Sequence, residues 1–340
     1  MTWLRGASGR DLGHSVQMVR RRTFLAGSVA SLALAGCGVT RGENAGARRL
    51  RMMIPNRPGG GYDLTGRAAV KVMEDEDITP RFEVFNVVGA SGTVAMARLI
   101  NEAGNDNLLQ CMGLGVVGAV YTNKSDARVS LATPIARLIQ EDEGVVVPAD
   151  SPFKTIDDCV SAWKADVKGM TVGGGSSPGG PDHLFPMELA RAVGIKPADV
   201  NYTPYDGGGE ILAALLGSKL DMATTGLGEF AEQIKNGKVR VLATSGEKAL
   251  EGTDAPALKE AGIDLTFTNW RGILAPPDIS GERTAELIAL LQKMHDSKAW
   301  QDVLVKREWT DAFITGDEFG TFLKEQDDRV ATTLKELGLA

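Results

Sequence analysis

From residue 50 onward, short apolar runs alternate with segments in which apolar residues recur every three or four positions. The run at residues 50–54 precedes a glycine-rich stretch and a helical pattern over residues 64–75. The runs at residues 82–88 and 108–112 are each followed by another glycine-rich turn. Strands that lead through a turn into a helix are typical of α/β layers with largely parallel strands. The pattern therefore predicts an α/β fold.

The alternation is interrupted near residue 150 and changes character near residue 268. Residues 144–165 combine an apolar run, a proline-containing break and a new helical pattern, and helices dominate towards the end of the chain. A chain that enters a second α/β unit and then leaves it has two crossing segments, which form a hinge beside a cleft. We predict one lobe from residues 48–150 and 268–340, and a second from residues 151–267. Each lobe is expected to be a mostly parallel sheet flanked by helices.

The glycine-rich turns fall where strands end and helices begin. Helix amino ends present free N–H groups and a partial positive charge, which suits carboxylates or phosphates. Arg57 is the only basic residue beside these turns, so backbone amides are expected to carry the recognition. Each turn alone could be a tight connection without a ligand. Several turns facing one cleft favour a binding site.

Residues 20–36 have the pattern of an export signal, with three arginines before an uncharged stretch that is too short to remain as a membrane helix. Arg-Arg-Thr-Phe-Leu at residues 21–25 resembles the twin-arginine motif, and Leu-Ala-Gly-Cys at residues 34–37 resembles a lipobox. We predict a signal peptide at residues 1–36, a lipidated Cys37 anchored to the outer face of the cytoplasmic membrane, and a tether at residues 37–47. A plain signal with a chance cysteine is the alternative, and Met18 is an alternative start to Met1.

Composition and charge narrow the class of protein. The 340 residues are 43% hydrophobic and 24% charged, which is typical of a globular chain with room for two domains. Residues 1–36 carry a net charge of +4, so the remainder carries −11 against −7 for the whole. An acidic surface argues against nucleic acid as a partner. Cys111 and Cys159 could form a disulfide after export, although they fall on a predicted buried strand and on a helix of the other lobe. No cysteine or histidine group has metal-site spacing, so neither a metal nor a cofactor is expected.

Two motifs resemble those of enzymes. Residues 113–118, GLGVVG, fit the dinucleotide fingerprint, and Glu141 and Asp142 lie at a tolerable distance for binding a ribose. The helical pattern that follows is short, which argues against a cofactor. Residues 175–179, GSSPG, fit a nucleophile elbow. Pro178 lacks the N–H group that an oxyanion hole requires, so hydrolysis is also disfavoured.

The remaining charged candidates can each be interpreted as structural residues. His295 falls within an amphipathic helix and is expected to be a surface or packing residue. His183 begins a helix after a glycine loop and is expected either to contact a ligand or to fasten the turn. The acidic run at residues 141–143 is interpreted as a solvated face of the hinge.

Ordered motifs across about 290 residues resemble the extracytoplasmic solute receptors of tripartite tricarboxylate transporters, the TctC or Bug family. Residues 57–67, RPGGGYDLTGR, resemble the family's opening Pro-Gly-Gly-x-x-Asp loop, and residues 86–99 resemble its second loop, with Ser91 where glycine is usual. Residues 173–184, GGGSSPGGPDHL, are similar to its Gly-Ser-rich loop. Residues 204–221 are similar to its Pro-Tyr-Lys-Gly-Gly segment, with Asp206 in place of lysine. Residues 239–248 and 269–279 complete the series.

The resemblance implies a two-lobed periplasmic-binding-protein fold of type II that closes on a small di- or tricarboxylate, or a related organic acid, without transforming it. The implied partners are the ligand and the membrane permease, and the implied state is a monomer. The implied grip consists of loop amides and hydroxyls, with GLGVVG as a third cleft-facing turn. Asp206 could prefer a ligand that carries an amine, or could face solvent. The ligand-binding residues predicted are Gly59, Gly60, Gly61, Tyr62, Asp63, Ser91, Gly92, Thr93, Gly113, Gly115, Ser176, Ser177, Gly179, His183, Tyr205 and Asp206.

Two other classes of protein stay open on sequence alone. A binding protein of an ABC-type importer uses the same physical principles with a different membrane partner. A secreted oxidoreductase or hydrolase would use one of the two enzyme motifs.

Overall fold

A computed structural model describes residues 49–205, 208–249 and 253–340, which belong to one compact unit. The predicted signal peptide (1–36), the tether with Cys37, and Asp206 lie outside the described residues. Within the described ranges the chain forms ten strands: β1 (Arg51–Ile54), β2 (Glu83–Asn86), β3 (Leu108–Gly113), β4 (Thr133–Pro148), β5 (Thr171–Gly174), β6 (Asn201–Pro204), β7 (Met222–Gly226), β8 (Val239–Thr244), β9 (Thr268–Ala275) and β10 (Thr310–Thr315).

The same ranges contain ten α-helices, most of which follow a strand directly. They are α1 (Gly61–Asp75), α2 (Thr93–Asn101), α3 (Leu114–Thr122), α4 (Ile156–Ala165), α5 (Pro181–Ala192), α6 (Gly208–Leu216), α7 (Leu227–Lys235), α8 (Gly281–Asp296), α9 (Lys298–Arg307) and α10 (Gly316–Glu336). The predicted alternation of strand, turn and helix is therefore confirmed for the described residues.

The strands form one curled, mixed sheet in the order β2-β1-β3-β9-β4-β7-β5-β6, with β8 and β10 also paired to β4. β2, β1 and β3 are mutually parallel, as are β6, β5 and β7. β9 and β4 run antiparallel to their neighbours. The parallel arrangement that we predicted thus holds at the two ends of the sheet but is wrong at its centre. We call β1, β2, β3, β9 and β10 the first strand group, and β5 to β8 the second.

β4 belongs to both groups. Residues 133–142 pair with β9 and residues 143–148 pair with β7 and β8. The change of partner therefore falls between Asp142 and Glu143, several residues before the break expected near residue 150. A single strand of 16 residues carries the chain across, so the proline-containing break comes only after the crossing.

The acidic run on β4 is not a solvated face. Glu143 is fully buried, and Glu141 forms an ion pair with Arg271. Burial, with a smaller contribution from Glu247, raises the pKa of Asp142 above its ordinary value. The interpretation of residues 141–143 as an exposed charge run was wrong, because the strand continues through these residues and its two faces are covered.

The hydrophobic core is continuous across the two strand groups. One buried cluster includes Met53 and Leu108 of the first group together with Val172 and Met222 of the second. Helices close both faces, and Trp163, Trp270 and Trp300 are fully buried. Burying each such side chain contributes roughly 1.5–3 kcal/mol or more. The two groups therefore share buried packing contacts as well as β4.

Cys111, Cys159 and His295 contribute to the packing of the fold. Cys111 in β3 and Cys159 in α4 are both buried and form no disulfide, and burial raises the pKa of each thiol to about 12. Thiols of this kind are poorly reactive. His295 on α8 stacks on Phe313 and contacts Asp311 at 2.9 Å. It is a packing residue at the surface, as expected.

Candidate functional site

A cavity of about 520 Å³ lies where loops from the two strand groups meet. The first group contributes the loops after β1 and β2, the amino end of α3 and the start of β9. The second contributes the loop between β5 and α5. The lining residues are Pro55, Asn56, Arg57, Gly60, Gly61, Tyr62, Val88, Gly89, Ala90, Ser91, Gly115, Gly175, Ser176, Ser177, Pro178, Gly180, Pro181, Asp182, Asn269 and Arg271.

The loop from β1 to α1 is fastened by Asp63. The Asp63 carboxylate accepts hydrogen bonds from the Gly59 N–H at 2.9 Å, from Arg67 Nε at 2.7 Å and from Asn86 Nδ2 at 2.9 Å. Burial acts to raise its pKa, but these three donors outweigh burial and lower the pKa below its ordinary value. Asp63 is buried and does not line the cavity. Its partners make it a clamp beneath the loop, while Gly60 and Gly61 face the cavity.

The loop after β2 carries an unusual backbone. Four successive residues have positive φ, at 153° for Gly89, 44° for Ala90, 53° for Ser91 and 96° for Gly92. The left-handed conformation costs a residue with a Cβ about 1 kcal/mol. Ala90 and Ser91 adopt it where they line the cavity. Gly92 and Thr93 lie behind the loop and are buried, with the Thr93 hydroxyl donating to the carbonyl of Ala90 at 3.0 Å.

The third turn, at the amino end of α3, is occupied by a side chain of the protein itself. The Tyr62 hydroxyl lies against the backbone at Gly115, and burial of that hydroxyl raises the pKa of Tyr62 to about 12. A Cβ atom placed at Gly115 would lie 2.7 Å from Tyr62 Oη, and one at Gly113 would lie 3.0 Å from its ring. Gly115 lines the cavity, whereas Gly113 is buried beneath Tyr62.

The loop from β5 to α5 has its own set of clamps. The Asp182 carboxylate accepts the Gly175 N–H at 2.6 Å and the Ser176 hydroxyl at 3.1 Å, and the Tyr202 hydroxyl donates to the Ser176 carbonyl at 2.9 Å. Ser176 and Ser177 face the cavity. These bonds fix the loop before any ligand arrives.

His183 fastens the same loop from below. Its Nδ1 accepts the Gly179 N–H at 3.2 Å, and its ring meets Tyr202 edge to face. Burial lowers the pKa of His183 to about 4, so the ring is neutral at physiological pH. Of the two roles expected for His183, fastening the turn is the one that its contacts support.

Arg271 is a charged cavity residue that sequence reasoning missed. It lies on β9 with 7% of its surface exposed, and its guanidinium contacts Glu141 on β4 and Thr65 Oγ1 at 3.4 Å. Burial acts to lower the pKa of Arg271, but the Glu141 carboxylate outweighs burial and raises it. The group is therefore a permanent cation. The sequence pattern predicted that backbone amides carry the recognition and did not include this cation, for which the only signal in the sequence was a single charge inside the apolar run at residues 269–275.

The cavity brings together only part of the predicted set. Seven predicted residues line it: Gly60, Gly61, Tyr62, Ser91, Gly115, Ser176 and Ser177. The others that the structure describes are not among its lining residues: Gly59, Asp63, Gly92, Thr93, Gly113, Gly179, His183 and Tyr205. The Tyr205 N–H donates to the Gly174 carbonyl at 2.8 Å, and its ring packs against the second strand group. Whether any of these residues contacts a ligand stays a prediction.

The packing accounts for both of the motifs that resemble those of enzymes. The Tyr62 hydroxyl fills the place at α3 where a pyrophosphate would bind, and Gly118 lies against the Gly179 backbone, with no space for a Cβ. Ser177 lies in the loop before α5, while the nearby His183 ring is bound to Gly179. Among the described residues no group of acidic, cysteine or histidine side chains could hold a metal ion.

Solved structures resemble the chain across the whole described unit. A TctC solute-binding protein from Polaromonas is 25% identical, with a TM-score of 0.71 over 86% of this chain and 99% of that one. MatC from Rhodopseudomonas palustris with bound malate is 20% identical, with a TM-score of 0.69 over 85% and 99%. Rpa4515 from R. palustris with adipate is 17% identical, with a TM-score of 0.72 over 86% and 98%. The fold is that of periplasmic solute-binding proteins.

Sequence comparison gives the family. The profile of the tripartite tricarboxylate transporter family receptor, TctC, matches residues 81–339. A UPF0065 protein from the gbd 5′ region of Cupriavidus necator is 28% identical over 95% of this chain and 99% of its own length. The chain belongs to the tripartite tricarboxylate transporter receptor family. Membership of this periplasmic family implies export. In the part of the chain that the structure describes, no helix combines the length and apolar character needed to cross a membrane.

Proposed function

We propose that this protein is an extracytoplasmic receptor that binds a small carboxylate in the cavity and delivers it to a tripartite tricarboxylate transporter permease. The observation that carries the proposal is the convergence of two glycine-rich loops, one from each strand group, on a cavity that also contains the buried cation Arg271. Hydrogen bonds to a charged group contribute roughly 1.5–3 kcal/mol each. Three or four such bonds suffice for a carboxylate after desolvation is counted.

The ligands of two relatives support the carboxylate class. MatC was solved with malate and Rpa4515 with adipate, which are both dicarboxylates. A cavity of about 520 Å³ accommodates molecules of this size. Binding without chemistry is part of the proposal, and it is supported by a family and by solved relatives that are solute-binding proteins.

The cleft requires two lobes that move. We place them at residues 48–150 with 268–340, and at residues 151–267. The change of strand partners between Asp142 and Glu143 supports a crossing within β4, a few residues before the boundary at residue 150. A ligand that contacts both loops favours the closed form, which a permease can distinguish from the open one. The receptor acts as a monomer in this scheme.

Export and anchoring follow from the predicted signal at residues 1–36. We propose that the chain is exported by the twin-arginine route and that acylated Cys37 holds it at the outer face of the cytoplasmic membrane, on a tether of residues 37–47. Labelling with a radioactive fatty acid tests this, because Cys37→Ala should abolish the label and release the protein from membranes.

A thermal-shift screen tests the function directly. Mono-, di- and tricarboxylates are compared with neutral amides, sugars and peptides of similar size. A ligand at 100 times its Kd adds about 2.7 kcal/mol of stability, which for a chain of this length raises Tm by several degrees. We expect stabilisation by at least one organic acid. A response to sugars or peptides alone would contradict the proposal.

A further inference from the structure

The two unspecified positions of the Pro-Gly-Gly-x-x-Asp loop are Gly61 and Tyr62, and both contact Arg271. The guanidinium lies flat against the Gly61 backbone, where an added Cβ would be 2.6 Å from Nη2 and 2.8 Å from Cζ. Only glycine allows the arginine to reach this place. The Tyr62 ring and the Arg271 side-chain stem pack together over Gly113, at 3.0 Å and 3.4 Å from a Cβ placed there. The three residues therefore form one unit, built from positions that the family motif leaves open.

Tyr62 and Arg271 change which group in the cavity is available to an anion. The Tyr62 hydroxyl lies against the Gly115 backbone at the amino end of α3, where N–H groups would otherwise attract a negative group. Arg271 lies beside Tyr62 and lines the cavity. The Arg271 guanidinium therefore lies next to the amino end of α3, which the Tyr62 side chain covers.

Glu141 positions the Arg271 guanidinium and leaves other N–H donors of the guanidinium available to the cavity. Its carboxylate bonds one guanidinium nitrogen, and Thr65 contacts another at 3.4 Å. A guanidinium has five N–H donors in a rigid fork, so it can bind a second carboxylate. Arg271 is among the cavity-lining residues and Glu141 is not. Of the two charged groups, the guanidinium is therefore the one that lines the cavity, and the buried arginine keeps the counter-charge that it needs.

We propose that Arg271, positioned by Glu141 and Gly61, binds a second anionic group of the ligand beside the amino end of α3, which the Tyr62 side chain covers. This rests on the proposed function and deepens it: Arg271 is the residue that makes the receptor prefer a ligand with two negative groups over an equally large ligand with one.

Matched ligands isolate the second charge. Succinate, glutarate and adipate are each compared with their half-amides by isothermal titration calorimetry, since a half-amide keeps the size and one carboxylate. For the best diacid we expect the wild type to bind at least tenfold more tightly than to the half-amide, equivalent to about 1.4 kcal/mol. In Arg271→Gln this ratio should fall below about threefold, while the half-amide Kd changes by less than threefold.

Two further variants distinguish the loss of the Arg271 charge at the cavity from misfolding of the protein. The double variant Arg271→Gln with Glu141→Gln removes the charge without leaving a buried carboxylate unpaired, and should show the same low ratio. Gly61→Ala keeps the arginine but displaces it, and should lower the ratio as well. Arg81→Gln, at an exposed arginine, is the matched control and should keep the wild-type ratio.

The outcomes separate this inference from the proposed function. If the diacids bind and their preference over half-amides survives in both arginine variants, the role of Arg271 is wrong while the receptor function stands. If neither diacids nor half-amides bind the wild type, and no other organic acid stabilises it, the proposed function itself fails.

Discussion

The loops that precede α1 and α5 have the same backbone conformation but are fastened by different kinds of side chain. Each connects a four-residue strand to a helix through six residues, 55–60 and 175–180. Gly59 and Gly179 have φ of 87° and 91°, and the N–H of each donates to the side chain four residues later. In the first loop that side chain is the carboxylate Asp63. In the second it is the neutral ring of His183.

The difference shows what a turn of this kind requires. A left-handed glycine and an acceptor at the fourth position along are enough to fix the loop, and either a charged or a neutral acceptor serves. The exposed position 57 is arginine in the first loop, and the corresponding position 177 is serine in the second. The first loop, with Arg271 beside it, therefore supplies the positive potential, while the second supplies hydroxyl and N–H donors.

The two left-handed glycines should tolerate alanine unequally, and this is the largest effect that we expect. A Cβ at Gly59 would meet no atom within 4 Å, so Gly59→Ala should cost only the backbone strain of about 1 kcal/mol. A Cβ at Gly179 would lie 3.0 Å from the backbone of Gly118. Overpacking adds to the strain there, so Gly179→Ala should cost about 3 kcal/mol. Urea unfolding measures both, with Gly281→Ala, at an open site, as the control. Equal losses would mean that the loops do not differ in packing.

The two clamps should fail at different pH. The pKa of His183 is about 4 in the folded protein against an ordinary value of 6.5, so the unfolded chain takes up the proton first and stability is lost as pH falls from 6.5 towards 4. The loss is roughly 3 kcal/mol at most. The pKa of Asp63 is lowered below 3.8, so its contribution is lost only at lower pH still.

Variants assign each of these windows. His183→Asn should flatten the stability curve between pH 6.5 and 4 relative to wild type, and Asp63→Asn should flatten it only below pH 4. His295 does not interfere, because Asp311 and Asp296 outweigh burial and raise its pKa, so that its contribution is lost as pH rises above 6.5. If the free energy of unfolding of His183→Asn falls between pH 6.5 and 4 as steeply as that of the wild type, then His183 is not the group responsible for this pH dependence.

Exchanging position 57 tests the charge difference and should have the smallest effect. Arg57 is exposed at the rim of the cavity, where solvent and salt screen its field. Arg57→Ser should weaken binding of a dicarboxylate by about two- to fivefold at low ionic strength and by less at 0.5 M salt. Calorimetry at two salt concentrations measures this. A loss that does not depend on salt would indicate a direct contact in place of a long-range field.

The local features of the site were accessible from sequence, and the long-range ones were not. Each glycine-rich turn follows an apolar run and opens a helix, so the loops at Gly60, Ser91 and Ser176 could be found from short-range rules. The residues of each loop differ in role, because some face the cavity and others face the protein interior. Asp63 and His183 belong to the same motifs as the lining residues, but their side chains turn inward to bond the backbone.

Arg271 and β4 show why the remainder was missed. Arg271 is 210 positions from Gly61, and nothing near residue 271 indicates that a glycine elsewhere leaves room for its guanidinium. The acidic run at residues 141–143 has the composition of a surface, yet the strand that contains it is paired on both sides. Pairing between distant strands and the partner of a buried charge depend on the assembled fold, so a single sequence gives no local signal for them.

A crystal structure of the protein with its most stabilising dicarboxylate tests the central claim most directly. We expect one carboxylate to accept N–H or hydroxyl hydrogen bonds from the loops at residues 60–61 and 176–177, and the other to lie within hydrogen-bonding distance of the Arg271 guanidinium. A ligand bound away from both loops, or one that reaches a single strand group only, would contradict the account.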